Sequence, residues 1–349
     1  MNQTPHAMRG PSALVAAIAV LATGGCATPG ADAPTAGTTA TPAARSAPAP
    51  APRLLPDVQQ VTLPNGALLQ LAVKDDVPLV ALSARLRGGA VADPPGKGGL
   101  AALTAGLLEK GAGERNARAL ADAVADVGGQ LSAGSGLESA SVSAEFLAED
   151  TDLMIELVLD MLLSPTFDAV EFERARTRAI ASMQAARDGD PRSLISRYGR
   201  AFLFGEHPYG KPSGGTETSL AALTVDDVIA HHRAHYGPDR LIVSVVGDID
   251  PVAVRAALQD RLAGWRQAAE PAPPVAPPSL PAGRRVLLVD KPDATQTYFW
   301  IGSGGVAKTY PQDAALDVAN TLFGGRFTSM LNTALRVESG LTYGASSRL

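Results

Sequence analysis

The chain has 349 residues and a formal net charge of −5, so its overall charge gives no indication of nucleic-acid binding. It contains one cysteine, Cys26, which excludes an internal disulfide. No segment after residue 56 has the length and hydropathy expected of a membrane-spanning helix.

The first 26 residues resemble a bacterial lipoprotein signal peptide and are not expected to belong to a folded domain. Arg9 gives a weakly positive start, and residues 13–22 form an apolar run shorter than the roughly 20 residues that span a bilayer. Small residues precede Cys26, the predicted lipidation site, although Thr23 stands where such signals usually carry leucine. The alternative is an ordinary secretory signal in which this cysteine occurs by chance.

The residue after Cys26 is alanine, and in the lipoprotein pattern the absence of aspartate there favours the outer membrane. We therefore expect a lipid anchor to the membrane and a location in the bacterial cell envelope, at the outer membrane and facing the periplasm. Residues 27–56 are rich in alanine, proline and threonine and cannot bury enough apolar surface to fold. This segment is expected to be a disordered tether.

Residues 57–265 carry the patterns of a first folded domain. Two extended runs flank Asn65 and Gly66, which is a strong hairpin signal, and further strand patterns begin near residues 80, 138 and 240. Helical patterns begin near residues 99, 116, 150, 168, 193 and 224. This arrangement predicts an α+β fold, in which helices pack on an antiparallel sheet.

A proline-rich segment at residues 266–283 is predicted to be a linker. Beyond it, strand patterns at 284–290 and 295–304 and a helical pattern at 311–323 repeat the beginning of the first domain. Because residues 284–349 are far fewer than those of the first domain, we expect a second, homologous domain that is truncated in this chain.

The first helical pattern, within residues 99–111, has one face with almost no functional groups. Leu100, Leu103 and Leu107 recur at the spacing of a buried stripe. The other shared face carries a single functional group, and its members are Ala102, Ala105, Gly106 and Glu109. Glycine inside a helix costs roughly 1 kcal/mol relative to alanine, so helix propensity does not explain Gly106.

Seven short motifs follow one another along the folded part of the chain: LPNG at 63–66, GLA at 99–101, GGQLSA at 128–133, MLLSPTFD at 161–168, HPYG at 207–210, HYGPDRLIVSVVGDIDP at 235–251 and RVESGLTYG at 336–344. In this order they resemble the pitrilysin or insulinase family of zinc peptidases. The resemblance is to its short bacterial and mitochondrial-processing-peptidase-like members.

Members of that family bind zinc through an H-x-x-E-H motif, whose glutamate is the general base, and through a glutamate on a later helix. The resemblance places the two histidines at Ala102 and Gly106 and the base at Ala105. It places the distal ligand at Ala181, within one or two residues, and no Asp or Glu occurs from residue 174 to residue 187. It therefore implies no metal site and no cofactor in this chain, with zinc only in a partner chain.

Other side chains offer alternative interpretations. His231 and His235 are four residues apart, which is also metal-ligand spacing, although no acidic residue lies between them. Glu109 lacks an imidazole partner and is expected to be solvated or salt-bridged, and His207 is expected to position a loop. Ser132 stands where the family's substrate-receiving edge strand usually carries asparagine, which weakens the case for peptide binding by this half.

The last motif matches the family's R-x-x-x-G-L-x-Y pattern through Arg336 and Tyr343. In catalytic members these residues reach the substrate beside the zinc. The resemblance implies an arginine that grips a carbonyl group and a tyrosine that donates a hydrogen bond to a developing oxyanion. The alternatives are a charge at a helix end for Arg336 and a packing residue of a strand for Tyr343.

Taken together, the residues and the resemblance predict a non-catalytic subunit of a two-chain zinc metallopeptidase. It would supply Arg336 and Tyr343 in trans to a zinc-bearing paralogue that cleaves a peptide substrate, with no nucleic-acid partner. The alternative is a purely structural or peptide-binding envelope protein without a catalytic role. A self-sufficient peptidase is a third hypothesis, and it requires a metal site that the motifs do not reveal.

Overall fold

The computed structural model describes residues 56–349, apart from residues 190 and 293. The predicted signal segment with Cys26, and residues 27–55 of the predicted tether, lie outside the described residues. Within the described part, no helix is both long enough and apolar enough to cross a membrane.

The fold is built on a six-stranded sheet. In chain order the strands are β1 (Val58–Thr62), β2 (Leu68–Val73), β3 (Leu79–Arg87), β4 (Gly111–Ala112), β5 (Arg115–Asn116), β6 (Gln130–Ser135), β7 (Ser139–Leu147) and β8 (Leu241–Gly247). The order across the sheet is β1–β2–β8–β3–β7–β6, and β4 and β5 form a separate two-stranded sheet. All neighbours in the large sheet are antiparallel except β2 and β8, so the sheet is mostly antiparallel, as predicted.

The helices are α1 (Leu100–Leu107), α2 (Ala117–Asp126), α3 (Thr151–Leu163), α4 (Ala169–Asp188), α5 (Arg192–Phe204), α6 (Glu217–Ala221), α7 (Val225–His235), α8 (Pro251–Leu262), α9 (Asp313–Asn320) and α10 (Met330–Asn332). Two of these helices begin at N-cap residues that lie where the sequence predicts a helix start. The Asn116 side chain accepts the N–H of Ala119, and Thr224 and Asp227 form a reciprocal capping box. The α+β architecture is therefore confirmed.

One face of the sheet forms the core. Along β3, Val80, Leu82, Ala84 and Leu86 are buried, as every second residue of a half-covered strand must be. Helices α1, α3 and α8 pack on this face. The opposite face is open and holds a concavity of about 450 Å³ whose lining includes Ser83, Gln130, Ser132, Ser143 and Ser244.

The strands predicted at residues 284–290 and 295–304 do not form. Neither segment finds a partner strand in the described part of the chain, and an extended run without one leaves its backbone groups unpaired. Val286 and Ile301 are 91% and 95% exposed as a result. The helix predicted at 311–323 is confirmed as α9, followed by a π-helical turn at Thr321–Gly325. The linker and second-domain boundaries remain predictions.

The start of α1 requires a glycine. Gly99 has a φ of +91°, which is unfavourable for residues with a side chain. A Cβ atom at Gly99 would lie 2.6 Å from the carbonyl oxygen of Gly214, so the loop before α6 packs directly against this backbone. Gly106 differs, because a Cβ atom there would meet nothing within 4 Å.

Replacing these two glycines by alanine is expected to have opposite effects on stability. Gly99→Ala should lower the free energy of unfolding by more than about 1 kcal/mol, since a left-handed conformation costs an L-residue roughly 1–2 kcal/mol before any clash. Gly106→Ala should raise it by roughly 0.5–1 kcal/mol, because alanine suits a helix interior better. Urea unfolding of both variants measures this, and equal losses would contradict it.

Candidate functional site

The N-terminal end of α1 is fixed by a buried carboxylate. Asp93 accepts the N–H of Gly99 at Oδ2 and that of Ala101 at Oδ1, each at 2.7 Å. Burial raises the pKa of Asp93 to about 6, while these backbone hydrogen bonds act in the opposite direction. The Ser219 hydroxyl donates to the carbonyl of Gly98 at 2.7 Å. The sequence patterns did not reveal Asp93, because it lies too far before α1 to be a sequential cap.

The four positions that the family resemblance assigns to zinc chemistry lie on two helices in contact. Ala102 and Gly106 are half-buried and Ala105 is fully buried on α1, which packs against α4. Ala181 is exposed on α4. Methyl groups and a hydrogen atom stand in place of imidazole and carboxylate ligands, so these residues do not fit a zinc ion. The two-helix scaffold is present without the donor set.

Glu109 lies immediately after α1 and contacts the free edge of the sheet. Its Oε1 accepts the N–H of Ala133 at 2.5 Å, and its Oε2 lies 3.7 Å from Nζ of Lys110. Ala133 belongs to β6, the last strand of the sheet, whose other edge pairs with β7. The expected salt bridge is confirmed. The hydrogen bond to β6 was missed, because it joins residues far apart in sequence.

The Glu109 contact is expected to protect the Ala133 amide from hydrogen exchange. Glu109→Ala should accelerate its exchange about tenfold or more, since a hydrogen bond to a charged group contributes about 1.5–3 kcal/mol. Glu109→Gln is the matched control, because an amide oxygen still accepts this bond. Residue-resolved hydrogen exchange by NMR measures the rates. Equal rates in the wild type and Glu109→Ala would show that the contact does not form.

The histidine pair proposed as an alternative metal site is close together but lies beside a cation. The rings of His231 and His235 are 4.5 Å apart between centroids, and Nη1 of Arg240 is 3.3 Å from Nδ1 of His235. The described residues contain no group of three or more His, Cys, Asp or Glu side chains placed to hold a metal ion. The His231 Nδ1 atom is buried, and no described residue hydrogen-bonds to it. A positive guanidinium beside the pair opposes a second cation.

All three histidines of α7 are held in the neutral form. Burial lowers the pKa of His231 to about 3, with the neighbouring His235 as the next cause. Burial also lowers the pKa of His232 to about 4, and it lowers the pKa of His235. Nε2 of His232 is 2.9 Å from the carbonyl oxygen of Leu162, a contact in which this nitrogen donates. Neutral α7 histidines are therefore part of the native packing.

The fold is expected to lose stability as the pH falls below 6.5. The histidines of the unfolded chain then become protonated, whereas the three α7 histidines of the folded chain stay neutral because their pKa values are lowered. Each histidine contributes up to about 1.4 kcal/mol per pH unit to this loss. Asp93 has the opposite effect on stability between pH 3.8, the ordinary pKa of an aspartate, and pH 6. Its raised native pKa makes the folded chain bind this proton before the unfolded chain does. Because Asp93 offsets about one of the histidine protons, the net slope near pH 5 should exceed that of one proton, about 1.4 kcal/mol per unit. His231→Gln should reduce it by about one proton. Urea unfolding at pH 7, 6 and 5 measures the slopes; a flat profile would contradict the prediction.

Arg336 and Tyr343 are brought into contact. The Arg336 guanidinium lies 5.0 Å from the ring centroid of Tyr343 and 4.3 Å from that of Phe327. Arg336 lies in the last turn of the π-helical segment Thr333–Glu338, where a cation also interacts favourably with the carbonyl end. Tyr343 is 85% exposed and outside any strand, so the strand-packing alternative is wrong. Among the described residues, neither the guanidinium nor the phenol has a hydrogen-bond partner.

His207 positions a loop, as predicted. Its Nδ1 accepts the N–H of Tyr209 at 3.2 Å, and its Nε2 lies 2.8 Å from the carbonyl oxygen of Ala276. The Tyr209 hydroxyl hydrogen-bonds to Glu138, which raises the pKa of Tyr209. These contacts join the HPYG loop both to the turn before β7 and to the proline-rich segment.

Comparison with known families gives two adjacent matches. Residues 72–216 match the profile described as insulinase (peptidase family M16), and residues 222–349 match the profile described as peptidase M16 inactive domain. An uncharacterized zinc protease of Mycobacterium leprae is 33% identical over 253 residues, which cover 70% of this chain and 55% of the relative. A non-peptidase homolog of Helicobacter pylori is 25% identical over 268 residues, covering 76% and 61%. The chain thus spans little more than half the length of these relatives.

Solved structures share the fold. A peptidase M16 inactive domain from Pseudomonas fluorescens superposes with a TM-score of 0.69 at 24% identity, covering 83% of this chain and 70% of that one. A protease from Helicobacter pylori gives a TM-score of 0.69 at 19% identity, covering 84% and 71%. At these identities the likeness is one of fold.

Proposed function

Because the chain belongs to the peptidase M16 (insulinase) family and lacks ligand and base side chains at the metal-site positions, we propose that it is a non-catalytic subunit of a two-chain zinc metallopeptidase. In this proposal the zinc and the general base belong to a paralogous partner chain. This chain supplies Arg336 and Tyr343 to the peptide substrate. It acts in the bacterial cell envelope, anchored by lipid at Cys26 to the outer membrane and facing the periplasm.

The proposal rests on the contact between Arg336 and Tyr343, in which no described residue hydrogen-bonds to the guanidinium or to the phenol. A guanidinium stacked on aromatic faces keeps its N–H groups in the plane, where they point away from the rings. Those donors suit a substrate carbonyl, and the phenol suits an oxygen on which negative charge develops.

The names of the relatives agree with a non-catalytic role beside an active one. The second half of the chain matches a profile named for an inactive domain, and one relative is named a non-peptidase homolog. Other relatives are named zinc proteases, which is the class of protein that the proposed partner belongs to. The alternative, a structural or peptide-binding protein, draws support from the open concavity on the sheet, where Gln130 and Ser132 offer polar groups to a peptide.

Mixing this chain with its zinc-bearing paralogue is expected to create peptidase activity that neither chain has alone. Arg336→Ala and Tyr343→Phe should each lower the turnover of the mixture by about 10²–10³, the usual loss for one oxyanion donor. Size-exclusion chromatography and peptide cleavage on the same fractions separate assembly from chemistry. Arg326→Ala and Tyr310→Phe are the matched controls, since both residues lie in the same half of the chain and outside the Arg336–Tyr343 pair.

Two results would overturn the proposal. A stable complex whose cleavage rate ignores both substitutions would leave this chain a scaffold, in favour of the structural alternative. Tightly bound zinc and peptide cleavage by this chain alone, both lost in His231→Ala or His235→Ala, would favour a self-sufficient peptidase.

Lipid attachment is expected at Cys26. A fatty-acid analogue fed to the producing cells should label the wild type and leave Cys26→Ser unlabelled, because no other cysteine is available. Stable anchoring takes more than one acyl chain. If Cys26 carries such an anchor, the wild type should also sediment with membranes, whereas Cys26→Ser should be released. Equal labelling of the two proteins would exclude this anchor.

A further inference from the structure

A second cavity, of about 180 Å³, lies between α5 and the loop at residues 210–214. Its chemistry is unlike that of the sheet concavity, because three cations and several hydroxyl groups line it, and none of the acidic side chains that the structure describes does. The side chains concerned are Ser193, Ser196, Arg197, Arg200, Lys211 and Ser213. None of them belongs to the Arg336–Tyr343 pair.

The helix contributes one continuous stripe to this cavity. Residues 193, 196, 197 and 200 of α5 follow the i, i+3, i+4, i+7 spacing, which places them on one face. Arg197 is half-buried along that face, whereas Arg200 is exposed. Two arginines three residues apart on a helix repel each other, and a bound anion would remove that repulsion.

The loop that carries Lys211 and Ser213 is held in place by its own backbone. Gly210 donates its N–H to His207 at 2.8 Å, and Gly215 donates to Pro212 at 2.9 Å. A Cβ atom at Gly210 would lie 2.4 Å from the carbonyl oxygen of Gly205, so the loop packs closely on the end of α5. The two walls of the cavity are therefore fixed relative to each other.

The three cations of the cavity have no counter-ion in the described part of the chain. The side chains of Arg197, Arg200 and Lys211 form no ion pair or hydrogen bond there. Nearby arginines behave differently: Arg187 pairs with Asp188 and Glu217, and Arg176 pairs with Glu173. These two arginines of α4 are thus paired with carboxylates, whereas the three cations that line the cavity have no acidic partner among the described residues.

We propose that this cavity binds a phosphate-type oxyanion. The cavity is smaller than the roughly 300–1,000 Å³ typical of sites for larger organic ligands, so it suits a compact group. Guanidinium groups bind phosphate oxygens through paired N–H donors, and the hydroxyls of Ser196 and Ser213 can donate to the remaining oxygens, whereas that of Ser193 already donates to the carbonyl of Ala186. Free phosphate and the phosphate of a lipid headgroup share this chemistry. The inference is independent of the proposed role in proteolysis.

Inorganic phosphate is the first probe. At constant ionic strength, phosphate should bind the purified chain in isothermal titration and raise its unfolding temperature relative to chloride. Arg197→Ala, Arg200→Ala and Lys211→Ala should each weaken binding about tenfold or more, the usual loss of a charge-assisted hydrogen bond. Arg255→Ala, an exposed position on α8, is the control and should bind as the wild type does. Unfolding in chloride verifies that each variant folds.

Vesicles distinguish the two sources of the anion. If a lipid headgroup is the ligand, the chain without its signal segment should sediment with phosphatidylglycerol vesicles and not with phosphatidylcholine vesicles, and the three variants should lose this binding. Free phosphate as the ligand predicts titration without sedimentation. If the three variants and the control bind phosphate with equal affinity, the binding is nonspecific and does not depend on the cavity. That result would overturn the proposal. Failure to bind either phosphate or vesicles would overturn it as well.

Discussion

The placement of helix α1 depends on the carboxylate of Asp93. The first N–H groups of a helix have no partner inside the helix, and a buried helix start must find acceptors elsewhere. Asp93 supplies two oxygens to this end, at Gly99 and Ala101, where its negative charge also meets the positive end of the helix dipole. The close approach of Gly99 to Gly214 then fixes the helix against the loop before α6. The positions of every residue on α1 follow from these contacts.

None of these contacts involves a side chain at a zinc-site position. Helix α1 can therefore keep its place in the fold although the metal-binding side chains are missing. A single imidazole or carboxylate left at one of the three α1 positions would be buried or half-buried without a metal partner, at a cost in desolvation. Ala105 buries a methyl group instead, and Gly106 leaves open space on the helix. Replacement of the complete set is therefore more stable than replacement of part of it. The bare face of α1 is compatible with a stable fold because its one polar member, Glu109, is hydrogen-bonded to Ala133 of β6.

The parts of the structure that the sequence predicts are those set by neighbouring residues. The hairpin at Asn65 and Gly66, the cap at Asn116 and the capping box at Thr224 each depend on a few consecutive positions. The assignment of metal-site positions to Ala102, Ala105, Gly106 and Ala181 comes instead from the family resemblance, and the residue types at those positions supply no ligand.

Contacts between distant segments were not predictable in the same way. The parallel pairing of β2 with β8 joins Leu68 to Ile242, and no local pattern encodes it. The hydrogen bond from Ala133 to Glu109 and the cap by Asp93 also arise only once the helices are placed on the sheet. The strand patterns after residue 283 failed for the converse reason: their runs of apolar residues are present, but a strand also needs a neighbour to pair with.

The Arg336 site shows why residue identity matters more than charge there. The guanidinium of Arg336 lies over the rings of both Phe327 and Tyr343. Stacking on two rings requires a flat cation, and the ammonium group of lysine is not flat. The exposed stacking contributes only about 0.5–1 kcal/mol per ring, so its effect is on orientation more than on stability. A guanidinium whose plane is set by two rings presents its N–H edge in a defined direction at little entropic cost on binding. Phe327 is thus a positioning residue for a donor group that has no acceptor among residues 56–349 as far as these are described.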